Sequence, residues 1–381
     1  MNFGTGIMRR ILMVMASFVA LIGAASADER VVNLFAWADY FDPRVLEEFT
    51  QETGIGVVYD TYDSNEAFDA RMREGPAGLD VVLTGAQALW NRARAGAYQK
   101  LDRSKLTNAR YLWPEVMSRL AVFDPGNQYA VNYMWFTAGI AYDEAKTKVR
   151  LGGKPIDSWD AIFRPENLRR LSDCGVYLPD SPEGVFPAVL KFLGAKPDSK
   201  SPEDIRRAAD LLVRLKPQIK KFHSSEYVDA LSSGEICVAM GWTGDAYQAK
   251  RRSLEAKNGV NLQYSIPRDG AQMLLDNLAI QKDAPHPAEA YALIDFLLRP
   301  DIAARNTEAI GLANGVFASM SLIDKAITDN PSIYPKDPSL RGLYVVLNGD
   351  AAVQATMSRE WARVITGKYP AAKTSPVKSR R

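Results

Sequence analysis

The sequence has few of the residues that build metal and redox centres. Its 381 residues include only two cysteines and two histidines. Two thiols cannot complete a four-cysteine zinc ribbon or an iron–sulfur cluster. The two histidines, His223 and His286, are too few for a histidine-rich metal site. We therefore expect neither a metal centre nor a cofactor.

The sequence also lacks a surplus of either charge. There are 47 Lys and Arg residues against 45 Asp and Glu residues, which gives a formal net charge of +2. Nucleic-acid binding needs a local excess of basic side chains, so we expect no nucleic-acid partner. The only charges before residue 28 are Arg9 and Arg10, and the rest of the chain is therefore neutral.

The first 27 residues have the features of a secretory signal peptide. A short basic region, Met8-Arg9-Arg10, precedes twelve apolar or small residues from Ile11 to Ile22. Ala25-Ser26-Ala27 then fits a signal-peptidase site. The apolar run is shorter than the roughly 20 residues that span a bilayer. We predict a cleaved signal peptide over residues 1–27, a periplasmic location and no membrane-spanning segment.

Export changes the interpretation of the two cysteines. In an oxidising compartment, Cys174 and Cys237 can form a disulfide, which would stabilise the fold by about 3–4 kcal/mol. Two buried free thiols are the alternative. We favour the disulfide.

The pattern of apolar residues alternates between strand and helix. Strands are predicted over residues 31–36, 55–61 and 80–84, with helices beginning at Pro43 and Asn65 between them. This βαβαβ unit predicts an α/β fold with a mostly parallel sheet. The second half also alternates between helix and strand, with a helix predicted over 201–216, a strand over 236–240 and a helix over 288–298. Residues 367–381 show no periodicity, and we expect a disordered basic tail there.

Carboxylates and aromatic residues follow several of the predicted strands. Trp37, Asp39 and Tyr40 follow the first strand, Trp242 and Asp245 follow the strand with Cys237, and Asp276 follows a short apolar run. Ligands of such sheets bind beyond the carboxyl ends of strands. Together these residues would suit a cation, because an ammonium over an indole gains roughly 0.5–2 kcal/mol and each charge-assisted hydrogen bond about 1.5–3. Core packing for the tryptophans and capping for the aspartates are the alternatives.

No catalytic motif accompanies these residues. The sequence contains no G-x-S-x-G, no H-E-x-x-H and no phosphate-binding G-x-x-x-x-G-K-[ST]. Paired carboxylates could support glycoside hydrolysis, so an exported Asp-dependent hydrolase stays an alternative. We expect a binding protein with no catalytic residue.

Seven short motifs together resemble one family. They are Trp37-Ala38-Asp39-Tyr40, residues 54–60, residues 63–66, Tyr133-Met134-Trp135, Asp157-Ser158-Trp159, residues 222–225 and residues 241–245. In this order they resemble bacterial periplasmic polyamine-binding proteins, most closely the putrescine-binding branch. The similarity extends from about residue 28 to about Pro300.

The resemblance implies a two-lobed receptor that delivers its ligand to the membrane permease of an ATP-binding-cassette (ABC) importer. It implies a monomer with the type II periplasmic-binding-protein fold, and the positions of Cys174 and Cys237 match the disulfide of the family. We expect the first lobe to comprise residues 28–136 and 275–305, and the second lobe residues 137–274 and 306–366.

The resemblance also implies a ligand site and points to differences within it. The retained positions are Trp37, Asp39, Tyr40, Trp242, Asp245 and Asp276. The positions that differ from the putrescine receptors are Ala38, Gly85, Gly184 (beside Glu183), Leu274 and Leu312. These smaller or apolar residues leave several ligands open: putrescine, spermidine, agmatine, a basic amino acid or a betaine.

Overall fold

The computed structural model describes residues 30–75, 77–336, 339–347 and 351–367. The predicted signal peptide lies outside these ranges, as does the predicted tail apart from residue 367. Within the described ranges, no helix has both the length and the apolar character needed to cross a membrane.

The described residues form ten strands. They are β1 (Val31–Trp37), β2 (Gly56–Tyr62), β3 (Val81–Gly85), β4 (Ala130–Asp143), β5 (Val176–Leu178), β6 (Lys221–Phe222), β7 (Val238–Trp242), β8 (Leu262–Ser265), β9 (Met273–Ile280) and β10 (Ala313–Asn314).

Sixteen α-helices accompany these strands in the described part of the chain. They are α1 (Pro43–Thr53), α2 (Asn65–Glu74), α3 (Ala86–Arg94), α4 (Pro114–Leu120), α5 (Glu144–Arg150), α6 (Asp160–Phe163), α7 (Pro165–Leu171), α8 (Pro182–Phe192), α9 (Pro202–Leu215), α10 (Tyr227–Ser232), α11 (Thr243–Ala256), α12 (Pro287–Leu297), α13 (Pro300–Ile310), α14 (Lys325–Thr328), α15 (Ser339–Gly342) and α16 (Ala351–Thr366).

Helix ends follow local rules that are visible in the sequence. The Asp42 side chain accepts a hydrogen bond from the Arg44 backbone N–H. Pro43 occupies the first turn of α1, where a backbone N–H has no acceptor within the helix, so its missing N–H costs no hydrogen bond. Gly54 ends the helix at φ 68°, a left-handed conformation that glycine adopts without strain. The predicted helix start at Pro43 is therefore confirmed.

The sheet is continuous through one long strand. Its order is β2-β1-β3-β9-β4-β7-β5-β6, with β8 and β10 also paired to β4. The pairs β1–β2, β1–β3, β5–β6 and β5–β7 are parallel, as the βαβαβ pattern predicts. The strands β4 and β9 are antiparallel to their neighbours.

The strand β4 belongs to two parts of the sheet. Its residues 130–137 pair with β9, whereas its residues 138–143 pair with β7 and β8. One hydrophobic core packs on β1, β3 and β9, and another surrounds β5 and β7 together with α8 and α9. The α/β fold class with two lobes is confirmed.

The C-terminal segments divide between different cores. Trp361 and Val364 of α16 belong to the core around β7 and α9, whereas Ile333, Tyr334 and Leu343 pack in a further cluster with Trp135 and Leu120. The division of the chain at residues 136, 274 and 305 stays a prediction.

The predicted disulfide between Cys174 and Cys237 is present. Their Cα atoms lie 5.5 Å apart, within the range that a disulfide spans. The bond ties the 3₁₀ segment Ser172–Cys174 to the residue that precedes β7. It therefore holds two neighbouring parts of the second lobe together.

Candidate functional site

The carboxyl ends of three parallel strands meet the start of β9 at one edge of the sheet. Trp37 at the end of β1 pairs with Tyr62 at the end of β2, and Gly85 at the end of β3 pairs with Asp276 of β9. The structure therefore brings the first predicted motif and Asp276 to the same sheet edge, although they are far apart in sequence.

A second strand end faces this edge along β4. Asp276 pairs with Met134, and Trp242 at the end of β7 pairs with Ala138. The two β4 residues are separated by about 13 Å at the usual rise of a strand. We call the space between these strand ends the inter-lobe cleft.

Asp276 is the buried carboxylate of the first lobe. It is only 6% exposed, and the hydroxyl of Tyr40 donates a hydrogen bond of 2.7 Å to its Oδ2. Burial raises the pKa of Asp276 to about 6, while the Tyr40 hydrogen bond acts in the opposite direction. No Lys, Arg or His of the described residues forms an ion pair with it, so an incoming cation would find its charge uncompensated.

Asp245 is the corresponding carboxylate of the second lobe. It lies in the first turn of α11, and the Tyr227 hydroxyl donates a hydrogen bond to its Oδ2. Burial raises the pKa of Asp245, against the lowering effects of the Tyr227 hydrogen bond and the charge of Arg252. Each lobe thus presents one aspartate that is paired with a tyrosine hydroxyl.

Each carboxylate has an indole on the same lobe. The rings of Trp37 and Tyr62 lie 4.4 Å apart between centroids, and those of Trp242 and Tyr227 lie 6.3 Å apart. Both indoles are only partly buried. Their remaining exposed surface can contact the aliphatic part of a ligand or a cationic group.

The remaining predicted carboxylates lie at the surface. Asp39 is exposed and has a left-handed backbone conformation with φ 55°. Glu183 is also exposed, and Ser181 Oγ lies 3.4 Å from its Oε2. Among the described residues no hydrogen bond joins either of them to Asp276 or Asp245, and their part in ligand binding stays a prediction.

Two glycines adjoin the aspartate and indole positions. A Cβ added to Gly85 would lie 3.7 Å from Oδ1 of Asp276, and one added to Gly184 would lie 3.5 Å from Cζ2 of Trp242. The absence of side chains at these two positions leaves space beside Asp276 and beside Trp242. Ala38, the neighbouring difference from the putrescine receptors, is exposed.

The two leucines of the predicted site occupy different environments. Leu274 is partly exposed on β9, two residues before Asp276. Leu312 is only 4% exposed, and a Cβ added to Gly244 would lie 2.9 Å from its Cδ2. Leu312 therefore packs against the turn that carries Asp245.

Two tyrosines of the site were absent from the sequence-based prediction. Tyr62 lies at the end of a strand, so the rule that selected Trp37 applies to it equally. Tyr227 begins a short helix, and its contact with Asp245 depends on the packing of α10 against α11. No local pattern indicates that contact.

Comparison with known proteins assigns the chain to a family. Residues 44–335 match the model of the bacterial extracellular solute-binding proteins. The chain belongs to this family. Within the described residues, no group of three or more His, Cys, Asp or Glu side chains is placed to hold a metal ion.

Relatives within the family include two putrescine receptors. The chain is 44% identical over 346 residues to the putrescine-binding periplasmic protein SpuD of Pseudomonas aeruginosa, covering 91% of this chain and 94% of the relative. It is 41% identical to the putrescine-binding periplasmic protein PotF of Escherichia coli, with the same coverage.

A solved structure shares the fold. The spermidine/putrescine substrate-binding protein PotD of Streptococcus pneumoniae superposes with a TM-score of 0.79 at 26% identity, covering 88% of this chain and 98% of that protein. These comparisons confirm the solute-binding class and the two-lobed type II architecture.

Proposed function

We propose that this protein is a periplasmic receptor that binds a polyamine or a related cationic amine between its lobes and delivers it to the permease of an ABC importer. It carries out no reaction of its own. The names of the similar proteins SpuD and PotF support this substrate class. The observation that carries the proposal is the buried Asp276 carboxylate, which has no ion-pair partner among the described residues and lies opposite Gly85, the last residue of β3.

Binding and closure follow from the placement of the two aspartates. One ammonium group of the ligand bonds Asp276 on the first lobe, and the ligand then interacts with Asp245 on the second lobe as the lobes close. A ligand shifts a conformational equilibrium only by its differential affinity for the two states. Contacts from both lobes supply that difference, so the amine favours the closed form.

The aromatic residues act on the apolar part of the same ligand. The aliphatic stem of an extended amine passes between Trp37 and Trp242, which removes apolar surface from water on both sides. The indole faces also attract the charged ends. Asp39 and Glu183, at the exposed margin of the site, raise the local concentration of cations before closure.

A thermal-shift panel tests the proposed substrate class. We expect the melting temperature to rise with at least one of putrescine, cadaverine, spermidine, spermine, agmatine and arginine. A ligand present at 100 times its dissociation constant adds about 2.7 kcal/mol to the free energy of unfolding. A glycine betaine sample serves as the control for a permanent cation without N–H donors. The absence of a shift with every amine would contradict the proposal.

Amine affinity is expected to fall in mild acid. The ammonium groups stay charged over this range, whereas Asp276 gains a proton because its pKa is raised to about 6. Below that value the dissociation constant should rise about tenfold for each pH unit, since only the ionised carboxylate bonds the cation strongly. Isothermal titration calorimetry between pH 8 and pH 5 measures this dependence. In Asp276→Asn only the dependence due to Asp245, whose pKa burial also raises, should remain.

The unliganded protein should show the opposite pH dependence. The folded-state pKa of Asp276 lies above the unfolded value, so the folded state takes up this proton first as the pH falls. The contribution of Asp276 to the free energy of unfolding therefore rises as the pH falls from about 6 to about 4.

The affinity prediction has its own contradicting outcome. An amine affinity that stays constant down to pH 5 would show that Asp276 does not bind the amine.

A further inference from the structure

The motif over residues 241–245 begins with a glycine whose backbone conformation does not require one. Gly241 lies within β7, and it is not among the glycines with a positive φ. A Cβ added to Gly241 would lie 2.6 Å from the hydroxyl oxygen of Tyr227 and 2.6 Å from Cε2 of the same ring. A side chain at position 241 would therefore displace the Tyr227 ring from the end of β7.

The Tyr227 hydroxyl joins two residues of the candidate site. It donates a hydrogen bond to Oδ2 of Asp245 and accepts one of 3.3 Å from the backbone N–H of Trp242. Burial and the negative charge of Asp245 raise the pKa of the Tyr227 phenol well above its ordinary value, so the hydroxyl keeps the proton that it donates. One hydroxyl group thus links the aspartate and the tryptophan of the second lobe.

Packing of α10 against α11 fixes the position of Tyr227. Val228 and Leu231 of α10 lie in the same hydrophobic core as Ala246 and Ala249 of α11. Tyr227 is itself fully buried, with 0% exposure. Side chains in such close-packed interiors hold well-defined rotamers, so the hydroxyl has a fixed direction toward Asp245.

Asp245 is accessible to a ligand, whereas Tyr227 is not. Asp245 is partly exposed, and no hydrogen bond from a described residue reaches its Oδ1. The first lobe is different, since Tyr40 beside Asp276 is itself partly exposed. Tyr227 can therefore influence binding only through the residues that it bonds.

We propose that Tyr227 is a positioning residue, whose hydroxyl holds the Asp245 carboxylate in one orientation and leaves Oδ1 available for an ammonium group of the ligand. Gly241 is required because it makes room for this hydroxyl. The inference rests on the proposed function and specifies how the carboxylate of the second lobe is oriented. A carboxylate that is already held in its binding geometry loses less freedom when the ligand arrives, which increases the affinity.

The same hydrogen bond influences the charge of Asp245. Burial raises the pKa of Asp245, whereas the Tyr227 hydroxyl and the positive charge of Arg252 on α11 lower it. Tyr264 on β8 also interacts with Asp245, but burial raises the pKa of its phenol, so it stays neutral at physiological pH. Removal of the Tyr227 hydroxyl should therefore raise the pKa of Asp245 further.

A double-mutant cycle tests whether Tyr227 acts through Asp245. Tyr227→Phe removes only the hydroxyl, and Asp245→Asn removes the charge that the hydroxyl orients. For the amine of the thermal-shift panel that binds most tightly, we expect Tyr227→Phe to raise the dissociation constant about tenfold, the effect of a lost hydrogen bond to a charged group. In the Asp245→Asn background the same change should alter the constant less than about twofold. Titration calorimetry measures the four constants.

Two further measurements separate this role from a purely structural one. Tyr291→Phe removes another buried phenol hydroxyl, which accepts a 2.7 Å hydrogen bond from the backbone N–H of Asp102 in the first lobe. This variant should leave the dissociation constant unchanged. In Tyr227→Phe, the pH below which the affinity falls should move upward, since Asp245 then takes up a proton more readily.

The possible results distinguish the role of Tyr227 from the receptor function. Equal weakening in both backgrounds, no weakening by Tyr227→Phe alone, or an unchanged pH profile would overturn the positioning role while leaving the receptor function standing. Failure of the natural protein to bind any amine of the panel would instead overturn the proposed function.

Discussion

Replacing Asp276 by asparagine is expected to weaken amine binding about 100-fold and to stabilise the unliganded protein. The loss of affinity follows because the amide has no charge to offer an ammonium, and removal of one partner of a buried ion pair costs about 3–5 kcal/mol. Part of this is recovered because asparagine still accepts a hydrogen bond. A change of about 2.7 kcal/mol corresponds to 100-fold in the dissociation constant.

The stabilisation has the same origin as the raised pKa. At neutral pH the unliganded protein holds an ionised Asp276 at a site where burial raises its pKa to about 6. A rise of about two pKa units corresponds to roughly 3 kcal/mol of unfavourable free energy in the folded state. Asparagine removes this penalty and keeps an acceptor for the Tyr40 hydroxyl, so the melting temperature should rise by several degrees.

A surface variant provides the control for this prediction. Asp283→Asn makes the same chemical change at an exposed position. It should alter neither the affinity nor the melting temperature by a measurable amount. Titration calorimetry and differential scanning calorimetry measure the two effects. An unchanged dissociation constant in Asp276→Asn would remove this residue from the ligand site, whatever happens to the stability.

Loss of the disulfide is expected to lower the melting temperature by about 10 °C. Cys174 and Cys237 are 63 residues apart in sequence, and closing a loop of this size stabilises the fold by roughly 4 kcal/mol in the chain-entropy model. Each kcal/mol shifts the melting temperature by about 2–4 °C for a domain of this size. The comparison is between the oxidised protein and the Cys174→Ala, Cys237→Ala double variant.

Ligand affinity should survive the loss of this bond. Cys237 precedes β7, and Trp242 is the last residue of that strand, about 17 Å farther along it. Reductant supplies the control, since it should destabilise the natural protein and leave the double variant unaffected. If the reduced protein, with both thiols confirmed by titration, melts at the same temperature as the oxidised protein, the bond makes no contribution to stability.

The first three strands, their βαβαβ order and the family of this protein were predictable from the sequence, whereas the long strand β4 was not. Residues 31–36 and 80–84 form strands because short apolar runs flanked by turn residues suit a buried sheet, and these patterns are local. The predicted strand over 236–240 lies two residues later in the structure, since pairing of Trp242 with Ala138 extends β7. A local sequence pattern does not show which residues of another strand will pair with these positions, so it does not fix where the strand ends.

The properties of the candidate site were set by tertiary structure. The sequence does not distinguish Asp39, Asp245 and Asp276 from one another. In the structure, however, Asp39 is exposed and Asp276 is buried beside Tyr40. The pKa of a carboxyl depends on its desolvation and its partners, and Tyr40 is 236 residues away from Asp276 in the chain.

The sequence alone thus determined which residues follow the strands and which family the chain resembles. Only the folded chain decided which carboxylates are buried and which hydroxyls bond them. The physical reason is that the preference for strand or helix depends on a few neighbouring residues, whereas burial and hydrogen bonding depend on residues from distant parts of the chain.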